Sequence, residues 1–245
     1  MVLTTLKRRQ TMNRNEVMLD NPTWHALTGR QRELGEGGCL ARRYLPAVSP
    51  FAAVASPSPE AFQALGRLIG ETGPVLMQTI STCPPLEALP VQALGEILQM
   101  VAIDPPASVD EKDLQCLGPA DTAAMLQLAQ QTRPGPFGQR TGEMGRYIGL
   151  RDQGRLIAMA GERMRLDGFI EISAVCVDEA YRGRGLAARL MNSLRRDILR
   201  RGDLPFLHVF SHNRSAVSLY RRLGFETRQV FSLWRIGCTA DPSAA

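Results

Sequence analysis

The chain has 245 residues, 44% of them hydrophobic, and a formal net charge of +5, the balance of a globular protein with length enough for one large or two small domains. No apolar run approaches the roughly 20 residues that span a bilayer, and residues 1–20 lack the apolar stretch and cleavage site of a secretory signal, so neither a helical membrane protein nor a secreted one is expected. The cysteines, Cys39, Cys83, Cys116, Cys176 and Cys238, are odd in number and free of CxxC spacing, which reads as free thiols of a reducing cytoplasm and leaves no disulfide frame or metal site.

Positive charge rests almost wholly on arginine, Lys7 and Lys112 being the only lysines. Many arginines fall on residues 182–222, yet no aromatic stacking motif or recognition helix accompanies them, so a solvated face is expected and a nucleic-acid partner is not. His208 and His212 are four apart but span a strand end and a loop, without the further ligands that zinc needs.

In chain order, residues 1–20 read as a flexible arm. Residues 21–107 form an α/β-like region. Ser58 and Pro59 start a helix whose apolar side, Phe62, Leu65 and Ile69, ends at Gly70. Gly73 and Pro74 turn into a strand over 75–80, residues 83–90 read as a loop, and 91–101 fit a helix or a strand. Prolines 105 and 106 mark a linker at 104–108. A second domain, 108–238, follows, with a tail at 239–245.

Within that domain a helix is expected over 119–131 and a loop, suited to line a substrate mouth, over 131–145. Strands at 147–150, 155–161 and 169–177 make a meander. The last is apolar on both faces except at Glu171 and Ser173, as a doubly covered central strand should be. By the two-residue period Glu171, Ser173 and Val175 share one face and Cys176 takes the other. Leu186, Leu190, Leu194 and Ile198 recur every fourth residue and mark a helix packed on the sheet. Strands at 205–210 and 225–236 complete the pattern. No internal repeat is evident.

The most informative stretch joins the strand at Val175-Cys176-Val177 to the helix at Leu186. Gly183 and Gly185 strip side chains from the connection, and the first helical turn offers N–H groups without intrahelical partners and the positive end of the dipole. The ligand implied is a phosphate or diphosphate, with Arg182 and Arg184 as further donors. The spacing is neither a P-loop, which needs a Lys, nor a dinucleotide fingerprint, which needs a third glycine where Ala188 stands.

Arg182, Gly185 and Ala187 resemble the Arg/Gln-x-x-Gly-x-Gly/Ala loop of the GCN5-related N-acetyltransferases (GNAT). Asn213, Ala216, Leu219, Tyr220, Leu223, Gly224 and Phe225 resemble the Asn-x-x-Ala-x-x-Leu-Tyr-x-x-Leu-Gly-Phe ending of the same family, closest to its FR47-like branch, over roughly residues 113–236. The resemblance implies an α/β (α+β) fold with a mixed central sheet flanked by helices. The N-terminal region is compatible with a degenerate half of that fold, without its own acyl-CoA loop.

It further implies direct transfer of an acetyl group from acetyl-CoA to a primary amine of a small molecule, with no metal. The near alternative is acetylation of a protein N-terminus or lysine; the other is a non-catalytic acyl-CoA-binding module. Backbone groups of Val175, Cys176 and Val177 would pair with the pantetheine arm, and Arg182, Gly183, Arg184, Gly185, Leu186, Ala187 and Ala188 would hold the diphosphate. Asn213 either holds the cofactor or caps the next helix. Tyr220 matches the tyrosine that protonates the leaving thiolate, or is core with its hydroxyl satisfied. Glu171 is the candidate base, with a pKa raised by partial burial; otherwise it partners an arginine, and Glu162, Glu143 or solvent takes the proton. Cys176 reads as a small buried apolar residue. The acceptor's identity stays open, and there is room for a homodimer.

Overall fold

The computed structural model describes residues 16–80 and 89–237. Parts of the expected arm, the loop at 83–90 and the tail fall outside that range. Within the segment read as an arm, Glu16–Asp20 form a 3-10 turn that buries Leu19.

A helix α1 (Pro22–Thr28) leads to a small antiparallel sheet of β1 (Gly35–Gly37), β2 (Ala41–Tyr44) and β3 (Ala52–Val54). Helix α2 (Pro59–Thr72) begins where the sequence places it, with Ser58 Oγ accepting from the Ala61 N–H at 3.2 Å and Pro59 at the first turn. It runs past Gly70 and closes at Gly73, whose φ of 88° only glycine adopts freely. Ala61, Phe62, Leu65 and Ile69 bury one face against Val54, Val75 and Met77.

The main sheet has eight strands in the order β4-β11-β5-β10-β9-β8-β7-β6. They are β4 (Val75–Thr79), β5 (Val91–Ala102), β6 (Gln115–Leu117), β7 (Tyr147–Asp152), β8 (Arg155–Leu166), β9 (Phe169–Val177), β10 (Leu204–Phe210) and β11 (Phe225–Ile236). Residues 91–101, ambiguous in sequence, are thus a strand inside the sheet, between β11 and β10. The 104–108 segment connects β5 to β6, two strands of this one sheet.

Helix α3 (Thr122–Thr132) covers one face near β8 and β9, and α4 (Leu186–Arg200) the other; α5 (Arg214–Arg222) lies between β10 and β11 in sequence. Leu190, Met191, Leu194 and Ile198 of α4 are fully buried against Ile157, Ile170, Ile172 and Leu207. At about 1.5–3 kcal/mol for each such side chain, this face fixes α4, and with it the loop that enters α4, to the sheet. Among the described residues no helix is long and apolar enough to cross a membrane.

Candidate functional site

β9 and β10 run parallel only while Phe169, Ile170 and Glu171 face Leu204, Pro205 and Phe206. Beyond that point β9 stays with β8 as far as Val177, and β10 stays with β5 as far as Phe210. The walls part and leave a wedge with unpaired backbone on its β9 side. A cleft of about 590 Å³ continues this wedge, lined by Val175 and Val177, the Gly183–Gly185 turn, the first turn of α4, and Asn213 and Tyr220.

The opening of β9 toward the cleft depends on a bulge. Ala174 has a φ of 51°, and the register with β8 slips between Met159 and Gly161. The slip reverses side-chain alternation. Val175 therefore joins Ile170 and Ile172 in the core under α4, while Ala174 and Cys176 pack with Met125 and Leu128 of α3. This corrects the shared face expected for Glu171, Ser173 and Val175.

After β9, Asp178 Oδ1 accepts from the Ala180 N–H at 3.0 Å and Oδ2 from Arg155 at 3.0 Å, which holds the short Glu179–Tyr181 turn. Gly183 and Gly185 then take φ values of 78° and 75°. A Cβ at either position would meet nothing within 4 Å, so these glycines serve conformation and an open approach to the backbone, not packing. Gly185 caps α4 without any side-chain hydrogen bond, and no acidic residue stands in the first turn. The amides of Leu186, Ala187 and Ala188 border the cleft. Among the described residues the lining includes Arg182 and Arg222 and no Asp, Glu or His, a field suited to phosphate.

Arg182 lies in this lining; Arg184 does not, its guanidinium sitting 4.8 Å from the centre of the Tyr181 ring. Cys176 is buried with its thiol pushed up to about 11 by burial, against a hydrogen bond with Thr132. Asn213 Oδ1 caps α5, accepting from the Ala216 N–H at 3.2 Å and from the Ser215 hydroxyl at 3.1 Å, and the residue also borders the cleft. Tyr220 packs edge-on to Phe225 with ring centres 6.2 Å apart and lines the cleft beneath. Burial pushes its hydroxyl up to about 12, so it remains a proton donor throughout the neutral range. Thr132 and Arg222 also line the cleft; sequence reasoning missed both, since Thr132 ends a helix without a motif and Arg222 is one arginine among many.

Glu171 is a correction. It is fully buried on the face away from α4, where Arg163 Nε and Nη2 donate to its two oxygens at 2.8 and 2.5 Å and His208 Nδ1 lies 2.7 Å from Oε1. Burial alone would raise its pKa, but the Arg163 charge and hydrogen bonds, with His208, overcome that and hold it at about 2. The expected raised carboxyl is absent because the partner is a buried arginine on the adjacent strand. Glu162 is likewise buried and paired with Arg201, and Glu143 pairs with Arg140. None of the three lines the cleft. Among the described residues no group of three or more His, Cys, Asp or Glu side chains is placed to hold a metal.

A family model described as FR47-like protein matches residues 147–234, which takes in β7 through most of β11. The N-alpha-acetyltransferase RimI of Mycobacterium tuberculosis is 39% identical over 83 residues, 33% of this chain and 51% of that protein. The chain thus spans about half the length of this curated relative. A solved GNAT-family protein from Novosphingobium aromaticivorans is 38% identical, with a TM-score of 0.83, covering 91% of this chain and 99% of that one. A GCN5-related N-acetyltransferase from Kribbella flavida shares the fold at 16% identity, with a TM-score of 0.60 over 88% of this chain and 93% of its own. With a relative of 38% identity aligned along nearly its whole length, and with the wedge and glycine turn in place, the chain belongs to the GCN5-related N-acetyltransferase family.

Proposed function

We propose that the protein is an N-acetyltransferase that moves an acetyl group from acetyl-CoA to a primary amine in a single ternary complex. The observation that carries this reading is one cleft lined both by the first turn of α4, whose cap makes no side-chain hydrogen bond, and by a half-buried Tyr220. When bound, acetyl-CoA supplies the activated thioester. Gly183, Gly185 and the amides of Leu186, Ala187 and Ala188 receive the diphosphate, with Arg182 alongside. The unpaired β9 edge at Val175–Val177 accepts the pantetheine arm as an added strand, and one of its N–H groups faces the thioester oxygen as charge develops there.

Tyr220 gives its proton to the departing sulfur. With no carboxylate or imidazole among the described lining residues, the amine is read as losing its proton to solvent before attack. The acceptor is read as the amine of a small molecule. A second reading, acetylation of a protein N-terminus, is favoured by the match to RimI over 83 residues. Thiol release from acetyl-CoA with a panel of small amines and of N-terminal peptides, followed by mass spectrometry of the products, tests both. Acetyl-CoA binding without turnover on any amine would leave only an acyl-CoA-binding module.

A further inference from the structure

The strand register of the main sheet carries an internal two-fold. β5 and β11 lie side by side and antiparallel, and exchanging them reproduces their pairing. Ala102–Phe225 at one end becomes Ile236–Val91 at the other, and Val101–Glu226 becomes Arg235–Gln92. The irregularities obey the same exchange, since the unpaired residue is Arg228 on β11 and Leu94 on β5.

Flanking strands follow the same rule. β10 pairs with β5, Phe206 opposite Val101 and Val209 opposite Leu98. β4 pairs with β11, Leu76 opposite Arg235 and Thr79 opposite Ser232. Each flanking strand is reached from a parallel strand through one helix, β9–α4–β10 in one half and β3–α2–β4 in the other. The Glu171–Phe206 pair has its counterpart in the parallel bridge Phe51–Leu76. Both helices close on a left-handed glycine, Gly202 with φ 85° and Gly73 with φ 88°.

β3 and β4 part after that bridge, as β9 and β10 do. The gap is a cavity of about 210 Å³ between Val54, Ala55 and Pro57 on one side and Phe62, Met77 and Gln78 on the other. It holds the volume of roughly seven waters. Gln78 is 6% exposed, and among the described residues neither its Nε2 nor its Oε1 has a hydrogen-bond partner. A buried amide left unsatisfied at both ends is uncommon in a folded chain, and here its residue stands in the wall of a cavity.

The entry to this second wedge differs in one decisive way. Ser58 Oγ already occupies the Ala61 N–H, and Pro59 has no N–H to offer, where the C-terminal half has two glycines and open amides. Among the described residues no Arg or Lys lines the cavity, and Asp20 at its margin is paired with Arg228 at 2.6 Å. A diphosphate has nothing to bind.

We infer that the second wedge binds a small uncharged molecule carrying a carboxamide or peptide unit, with Gln78 as its donor and acceptor. The site is separate from the acetyl-CoA cleft and does not depend on the acetyltransferase reading.

Protein NMR of the full chain with N-acetylglycinamide, and with methyl acetoxyacetate as its diester analogue, tests it. Resonances of residues 53–57 and 77–80 should shift saturably with the diamide in the millimolar range, and the diester should be at least about tenfold weaker, lacking the donors. Gln78→Leu should abolish the shifts, leave an acetyl-CoA titration unchanged, and melt at or above the parent's temperature, because it removes an unsatisfied group. Phe62→Trp, which fills the cavity from α2, should block the diamide independently of Gln78. Absence of saturable shifts at the wedge, equal shifts with the diester, or a lowered melting temperature for Gln78→Leu would each overturn the inference. So would a crystal structure soaked in the diamide that shows only water against Gln78.

Discussion

Replacing Glu171 with Gln separates a structural carboxylate from a catalytic one. The carboxylate and Arg163 are both at least nine-tenths buried and joined by two hydrogen bonds of 2.8 and 2.5 Å. Removing the charge leaves a buried guanidinium with a neutral amide and the Phe51 ring, 4.7 Å from its centre, in place of the carboxylate. Breaking a buried pair in this way costs about 3–5 kcal/mol; Gln keeps one acceptor, so the lower end applies. With a urea slope of about 3 kcal/mol per molar, suited to a chain of this size, the midpoint should fall by about 1 M. Since folding lowers the Glu171 pKa from 4.5 to about 2, its contribution is present above pH 4.5 and is lost as pH falls through about 2. Glu171→Gln should therefore lack that part of the acid sensitivity. The apolar pair Arg163→Met with Glu171→Leu should recover most of the loss, as volume-matched replacements of buried pairs do. Urea unfolding from pH 2 to 7, with kcat under saturating substrates, reads all three. An unchanged midpoint together with a turnover loss of about a hundredfold would refute the structural account and restore Glu171 as a base.

Tyr220→Phe should lower kcat by about a hundredfold, in the range of a lost general acid, with the acetyl-CoA Kd within twofold by calorimetry; parallel loss of both would remove the acid role. Because Tyr220 keeps its proton up to about 12 and no acid or imidazole lines the cleft among the described residues, kcat/KM should rise with pH to the acceptor's own pKa. A descending limb below about pH 9 would contradict this. Gly185→Glu should abolish acetyl-CoA binding by repelling phosphate, while Gly185→Ala, whose Cβ has room, should cost only about 1–2 kcal/mol of backbone strain. A chain starting at residue 108 should aggregate instead of folding, since it loses β5 and bares the edges of β10 and β11; a monomeric product that binds acetyl-CoA would overturn this.

The parts of the site that rest on residue type were legible in the sequence. Gly183 and Gly185 announce a turn stripped of side chains, a leucine every fourth residue announces the packed face of α4, and Phe169–Val177 appears with both ends where the run of apolar residues puts them. The parts that rest on register were not. Ala174 is not a residue type that advertises a left-handed φ, so the bulge that redirects Val175 left no trace. Arg163 reaches Glu171 only once β8 is set against β9 with two register shifts between them. β1–β3 escaped notice because they are short and because β2 buries Arg42 and Arg43 where alternation asks for apolar residues. Val91–Ala102 stayed ambiguous because it changes environment along its length, exposed over most of 91–96 and buried over most of 97–102, so no single two-residue period runs through it.

The wedge itself belongs to both halves of the chain. Two parallel strands linked by one helix gain backbone hydrogen bonds by staying paired, so β9 and β10 part only where each has another partner. For β9 that partner is β8, which follows it to Val177; for β10 it is β5, which follows it to Phe210. β5 comes from the N-terminal half and is held on its other side by β11 along nearly its whole length. The angle of the β10 wall is thus set by a strand outside the segment that the FR47-like model matches. By the internal two-fold, β11 does the same for β4 and the second wedge. Each half thus holds open the other's cleft, although the turn into α2 has Ser58 and Pro59 where the turn into α4 has glycines.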